Sequence, residues 1–336
     1  MEQWMGDSYV KGFEGQCVLV TGGAGAIGSN LCKRLLRLGV KKVVVLDDLS
    51  SAERWNLPHD PRVLFVHGSV LDDRDLKRVF AERLWVVYHL AALFANQNSI
   101  DQPEEDLMVN GLGTLKVLQY AHLAGVERVV YASSGCSVYG ESPLPLREDF
   151  VSMDLNTPYQ ITKMLGELYC NFFRNYYGLQ TVRTRFFNSY GPGEIPGRYR
   201  NVIPNFIYWA MRGEQLPITG TGQETRDWTY VGDIMDGLLR AGAMKDAVGE
   251  AFNLASGRET RVIDVAQWIN EETGNTAGVR YVERRKWDTK ERLLASVDKA
   301  TGVLGYEPRT EFRDGLRKTI DWFRTHWNEI QATARF

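Results

Sequence analysis

Short apolar runs alternate with amphipathic stretches over the first two-thirds of the chain. Cys17–Thr21 (CVLVT), Lys42–Leu46 (KVVVL), Val63–His67 (VLFVH), Trp85–Leu90 (WVVYHL), Arg128–Ala132 (RVVYA) and Thr181–Phe186 (TVRTRF) read as buried strands rich in β-branched residues. Between them, Ser29–Leu38 sets Leu31, Leu35 and Leu38 on one helical face, and Gly39 ends the turn. Strand, helix, strand in this rhythm predicts an α/β fold, a doubly wound parallel sheet with right-handed crossovers.

From about Gly191 the rhythm breaks. A Gly/Pro-rich loop, GPGEIPGRYR, leads to a helix near Pro204–Met211 and then to a second loop, GTGQETRD. Ala251–Leu254 reads as a strand returning to the sheet, and the chain from about Val262 is mostly helical, with an amphipathic stretch at Phe312–Trp327. The expected organisation is a sheet domain over 15–190, with 229–256 returning to it. A smaller, mostly helical lobe comes from 191–228 and 257–330.

Composition narrows the partners. In 336 residues, 40 Lys and Arg face 42 Asp and Glu, and no basic run appears, which argues against nucleic acid. The longest apolar stretch, Leu84 to Ala95, contains His89 and is too short for a membrane span. MEQWMGDSYVKGFEGQ has no basic segment followed by an apolar one, so no secretory signal is expected. Four scattered cysteines without a CxxC or HxxxH pair suit reduced thiols and no metal site. The expectation is a soluble, cytoplasmic protein.

Thr21-Gly-Gly-Ala-Gly-Ala-Ile-Gly28 follows a predicted strand and opens a predicted helix. Gly22 permits a tight turn, Gly25 lets backbone approach a pyrophosphate, and Gly28 allows close packing of the helix, whose N-terminus faces the phosphates. The next strand ends in Asp47-Asp48, where a carboxylate accepts both ribose hydroxyls and repels a 2′-phosphate. The combination predicts a Rossmann domain for NAD in preference to NADP.

Tyr159 and Lys163, in YQITK, stand four residues apart at the start of a helix announced by Asn156-Thr157-Pro158, and so share a face. A free phenol is a poor base at neutral pH. A nearby ammonium and an oxidised nicotinamide are expected to lower its pKa, so that Tyr159 takes a hydroxyl proton while carbon gives up hydride.

With these motifs in place, the chain from about Gly15 to Trp327 resembles the extended short-chain dehydrogenase/reductases, in the branch of nucleotide-sugar epimerases and dehydratases. The matching segments are TGGAGAIG, HLAA (His89–Ala92), VNGLGT (Val109–Thr114), SSGCSVYG (Ser133–Gly140), YQITK, RFFNSYGPG (Arg185–Gly193), GTGQETRDWTYVGD (Gly220–Asp233) and FNLASG (Phe252–Gly257). The resemblance implies that Gly22, Gly25, Ala26, Ile27 and Gly28 meet the NAD phosphates, and that Asp47, Asp48, Ser50, Ser69 and Val70 surround its adenosine. It runs Leu90, Ala91 and Ala92 along the cofactor, adds Phe186, Tyr159, Lys163 and Asn110 to its contacts, and implies that Asn110 also supports the architecture of the site. A nucleotide-diphosphate sugar is implied as substrate, bound by Asn98, Ser137, Asn188, Val202, Arg226 and an arginine at Arg285 or Arg292. A guanidinium suits a diphosphate because it donates planar, bidentate hydrogen bonds. Arg226 has a plainer alternative, pairing with Asp227 or Asp233, and Arg198 and Arg200 read as solvated loop charges. Relatives pair the helices Glu105–Ala124 and Tyr159–Tyr177 across a twofold, which implies a homodimer using Leu112, Leu115, Tyr169 and Phe173.

Three departures bear on chemistry. The hydroxyl residue that relatives carry three positions before Val-Tyr-Gly is here Gly135, which leaves Ser137, Ser134 or a water to bridge Tyr159 and substrate. Dehydratases carry Asp-Glu where this chain has Cys136-Ser137, and decarboxylases carry Glu at Ser137, so elimination favours 4-epimerisation through a transient ketone. The alternatives left open are a C3/C5 epimerase using Cys136, a dehydratase or decarboxylase with unusual acids, and a non-enzymatic NAD-binding sensor. Ser69 stands where relatives often have Asp for the adenine amino group. In the loop Phe94–Ser99, glucuronate-acting members often place Arg; the amides Asn96, Gln97 and Asn98 here favour a neutral hexose or N-acetylhexosamine.

Overall fold

Seven parallel strands form the central sheet of the computed structural model, which describes residues 8–336. Residues 1–7, part of the stretch in which no secretory signal is expected, lie outside the described residues. The strands are β1 (Cys17–Thr21), β2 (Lys42–Asp47), β3 (Val63–His67), β4 (Val86–His89), β5 (Arg128–Ser134), β6 (Gln180–Phe186) and the returning strand Ala251–Leu254. Their spatial order is Ala251–Leu254, β6, β5, β4, β1, β2, β3, with every pair parallel. The winding reverses between β1 and β4, and such a reversal opens a crevice beyond the carboxyl ends of the strands.

Alternation along the strands feeds two cores. Val18 and Val20 of β1 face one side with Val43 and Val45 of β2, where α1 (Ala26–Arg37) packs beside the later helix Val231–Ala243 through Leu31, Leu35, Ile234 and Leu238. Leu19, Val44 and Val129 face the other side, covered by α2 (Asp73–Phe80), α5 (Gly113–Leu123) and α6 (Pro158–Tyr177). Two short helices, α3 (Asn96–Asp101) and α4 (Pro103–Asp106), and a π-helical turn, Leu107–Leu112, join β4 to α5. The smaller lobe has its own core, built from α7 (Val202–Met211), α9 (Val262–Thr273), α10 (Phe312–Thr325) and α11 (Trp327–Thr333) around Phe206, Trp228, Ile269 and Phe323, whereas α8 (Val231–Ala243) packs in the core of the sheet.

Contacts continue beyond the expected bounds. Phe13 is fully buried with its ring 5.2 Å from that of Trp85. Arg335 forms an isolated bridge with Gly197. The apolar residues assigned to a dimer face also shift. Phe173 belongs to the core, and Leu112, Leu115 and Tyr169 are half-buried. On the same two stretches the exposed large apolar residues are Leu107, Met108, Leu123, Ile161, Leu168, Phe172, Tyr176 and Tyr177.

Candidate active site

A cleft of about 440 Å³ opens at the carboxyl ends of the strands, between the sheet and the lobe. That is the size of a small-molecule site. One end is floored by the glycine loop. Gly22 has φ +68° and would drive a Cβ to 2.7 Å from the Ala91 nitrogen; Gly28 would drive one to 2.3 Å from the Gly22 oxygen. These two glycines therefore serve the turn and its packing. A Cβ on Gly25 would meet only the Gly22 oxygen, at 3.3 Å. Helix α1 begins there with no side-chain cap and no acidic residue in its first turn, so its free amides are open to an anion.

Asp47, at the end of β2, is buried and accepts from the Ala24 and Leu49 amides, each at 2.9 Å. Burial raises its pKa, while those two amides pull it down. A carboxylate accepts about four hydrogen bonds, so two backbone amides leave capacity for a pair of ribose hydroxyls. The uncapped helix and this acceptor fit a dinucleotide. Ala26, Ile27, Asp48, Ser50, Val70, Leu90, Ala91, Ala92 and Phe186 also line the cleft.

Two residues assigned to the cofactor do not. The Ser69 hydroxyl accepts from the Leu71 amide at 3.2 Å within its own turn, and Ser69 is absent from the cleft wall. Asn110 is buried behind the wall, where its side chain accepts from the Leu93 amide at 2.8 Å and donates to the Leu93 carbonyl at 3.0 Å. It holds the backbone of the cleft-lining loop. A chain of hydrogen bonds supports it. The Ala91 amide donates to Thr21 Oγ1, which meets His89 Nδ1 at 2.7 Å; His89 Nε2 meets Thr114 Oγ1 at 3.0 Å, and Thr114 donates to the Asn110 carbonyl. Since Thr114 gives its hydrogen to Asn110, it accepts from His89 Nε2; in the neutral ring that burial favours, Nδ1 then accepts from the Thr21 hydroxyl. Burial, first, and Lys163, second, lower the His89 pKa to about 3.

Opposite the glycine loop stands α6. Thr157 caps it by accepting from the Gln160 amide at 3.3 Å, and Pro158 occupies its first turn. Gly166 lets the helix approach β5, because a Cβ there would lie 2.1 Å from the Tyr131 hydroxyl. Lys163 Nζ donates to the Ala132 carbonyl at 2.9 Å and lies 5.5 Å from the centre of the Tyr159 ring. Burial lowers the ammonium to about 8 and pushes the phenol well up, with Asp106 and Cys136 adding to the rise. The expected lowering of the phenol by Lys163 is not seen in the protein alone, where desolvation dominates.

Between the two ends lies the last turn of β5. Gly135 carries no side chain because Phe187 occupies its space. Ser137 is fully buried and shares a hydrogen bond with Ser134 at 2.9 Å, so the two hydroxyls act as one unit at the wall. The Cys136 thiol donates to Asn188 Oδ1 at 3.1 Å, and burial raises its pKa. Asn188 itself has φ +28°, a left-handed conformation that turns its side chain toward the cleft.

The lobe supplies the remaining wall. Arg226 lines the cleft and pairs with Asp288 at 2.8 Å, not with Asp227 or Asp233, which accept from backbone amides at 257, 295, 309 and 310. Val202, Arg285 and Asn98 line it too, whereas Arg292 pairs with Glu259 outside it. Arg200 is not a solvated loop charge. It lines the cleft, where burial lowers its pKa against the pull of Glu194 and Asp47. The roof is tied down where Trp287 Nε1 donates to Gln97 Oε1 and the Tyr199 hydroxyl donates to Asp101, both at 2.9 Å. Lys290, Trp287 and Arg200 carry no recognisable motif, and only the fold brings them to the site.

The model of the NAD dependent epimerase/dehydratase family matches residues 18–255. A UDP-glucose 4-epimerase of Mycolicibacterium smegmatis is 37% identical over 311 residues, covering 91% of this chain and 98% of that protein. An epimerase structure from the methanogen Methanothermobacter thermautotrophicus is 57% identical with TM-score 0.96, covering 98% of both chains. The enzyme WbmF of Bordetella bronchiseptica, solved with NAD+, is 38% identical with TM-score 0.83, covering 96% of each chain. The dinucleotide cleft, the Tyr159–Lys163 pair and these likenesses make the chain a member of the NAD dependent epimerase/dehydratase family.

Proposed function

We propose that the protein inverts C4 of a nucleotide-diphosphate sugar through a 4-keto intermediate. The observation that carries this reading is Tyr159 and Lys163 side by side in the wall of the cleft that also holds the glycine loop. The glycine loop, the N-terminus of α1 and Asp47 would hold NAD, which would supply the hydride acceptor, with rotation of the keto sugar presenting its other face for the return. Tyr159 takes the proton from the sugar hydroxyl as the carbonyl forms and gives it back when the alcohol is restored. Lys163, fixed on the Ala132 carbonyl, supplies positive charge beside the phenol. The Ser134–Ser137 pair stands in for the hydroxyl missing at Gly135 and holds the oxygen being oxidised. Asn188 and Arg226 hold the diphosphate.

The neighbouring reactions find less support. Cys136 is a protonated thiol that gives its hydrogen to Asn188, a poor base for removing a proton from C3 or C5. At Cys136 and Ser137 no carboxylate is present to expel a hydroxyl. Inverted C4 without carbon-bound deuterium after incubating UDP-, dTDP-, GDP- or CDP-sugars in D2O, read by NMR, is the expected result. Deuterium at C3 or C5 would overturn it, and bound NAD with no turnover would favour a sensor.

The assembly we infer is a homodimer. Ile161, Leu168 and Phe172 share one exposed face of α6, beside Leu107 and Met108. The four cysteines are all unpaired, in keeping with a reducing, cytoplasmic setting.

A further inference from the structure

The sugar end of the cleft carries a cation that no motif announces. Lys290 arrives on the loop that follows the strand Val279–Val282, and its ammonium donates to the Cys136 carbonyl at 3.2 Å. It is half-buried, and among the described residues no carboxylate lies within 4 Å of it. The two acids that act on it are already engaged: Glu141 accepts from the Thr289 hydroxyl at 2.9 Å, and Asp288 holds Arg226. An ammonium has three hydrogens, so the Cys136 carbonyl leaves two for an incoming anion.

Position assigns that anion to the sugar. Cys136 adjoins Ser137, which lines the cleft together with Tyr159, so the lysine on the Cys136 carbonyl stands at this end of the cleft. Arg226 remains for the diphosphate. The amides expected to read a neutral sugar are each anchored to the protein by at least one hydrogen bond. Asn96 accepts from Thr157, Gln97 bonds Trp287 and Asp101, and Asn98 bonds the Phe94 carbonyl and Gln102.

We propose that Lys290 selects a nucleotide-diphosphate hexuronate, pairing with the carboxylate that replaces the C6 hydroxymethyl group. The proposal rests on the 4-epimerase reading for the orientation of the sugar and departs from the expectation of a neutral hexose. A half-buried ammonium gains a charge-assisted pair with a carboxylate and none with a hydroxymethyl group. Discrimination therefore resides in one side chain.

Titration calorimetry on NAD-loaded protein, with UDP-glucuronate, UDP-glucose and UDP as probes, tests it. Wild type is expected to bind the uronate at least about tenfold more tightly than the neutral sugar. Lys290→Met is expected to erase that preference and Lys290→Arg to restore part of it, with UDP affinity the same in all three. Equal or tighter binding of UDP-glucose by wild type overturns the proposal and leaves C4 inversion standing. A loss of UDP affinity in Lys290→Met as large as its loss of uronate affinity also overturns it, because the lysine then serves the diphosphate. NMR of the product decides the reaction separately: Lys290-dependent uronate preference with no C4 inversion supports the substrate class and removes the epimerase reading.

Discussion

Gly135 lies against the ring of Phe187: a Cβ added to Gly135 would stand 1.9 Å from Cε2 and 2.3 Å from Cζ. Phe187 is fully buried and packed beside Tyr139, so it has little room to yield. Restoring the family hydroxyl by Gly135→Ser should therefore overpack the site, costing about 1–3 kcal/mol without raising turnover. Urea unfolding measures this. Gly135→Ser combined with Phe187→Leu should recover part of the loss, and a Gly135→Ser single variant as stable as wild type would contradict the packing argument.

Tyr159→Phe removes the proton acceptor and leaves the aromatic packing against Phe94, whose ring stands 6.0 Å away. Turnover should fall by about 10²–10⁴, the usual contribution of a positioned acid–base group, while NAD released by acid from the purified protein stays the same. Undiminished turnover would refute its role.

Arg200 lines the cleft together with Asp47 and is drawn by both Glu194 and Asp47, although its sequence neighbours belong to the lobe. Arg200→Ala should weaken NAD binding by on the order of 10- to 100-fold, as loss of a charge-assisted donor does. Fluorescence titration of the apo-protein with NAD reads this directly. Unchanged affinity would confine Arg200 to ion pairing within the protein.

The sheet and its winding were legible because period-two alternation and β-branched runs are local signals. The same holds for the glycine loop and for Tyr159–Lys163, whose partners lie within one turn or one helix. What escaped depends on contacts across the fold. Phe187, on the segment after β6, explains Gly135 on the segment after β5. Lys290 reaches Cys136 across 154 positions of sequence. Asn110 has the right place in the motif, yet its amide faces backbone behind the wall, a distinction that only side-chain direction reveals.

The exposed stripe on α6 predicts its own disruption. Leu168→Glu with Phe172→Glu puts charge in the centre of an apolar face and should convert a dimer to a monomer in sedimentation velocity. Since both side chains are exposed, folding should survive. A wild-type monomer at micromolar concentration would overturn the assembly.

His89 should make stability fall with acid. It is neutral in the folded protein, held between the Thr21 and Thr114 hydroxyls, with a pKa lowered from 6.5 to about 3. In the unfolded chain the ring protonates near its ordinary value, so between these two values the unfolded state binds the extra proton. Stability then rises with pH through that window, by at most about 1.4 kcal/mol per unit, and the effect vanishes above it. Buried Glu194, raised to about 7, acts in the opposite sense between its ordinary 4.5 and that value, so the wild-type curve alone is ambiguous. His89→Gln separates them, since it removes the titration and keeps one acceptor and one donor for the two threonines. From pH 6.5 down to pH 4.5, wild type should lose more unfolding free energy than the variant. Parallel curves would mean that His89 does not carry the neutral ring on which the hydrogen-bonded chain from Ala91 to Asn110 depends.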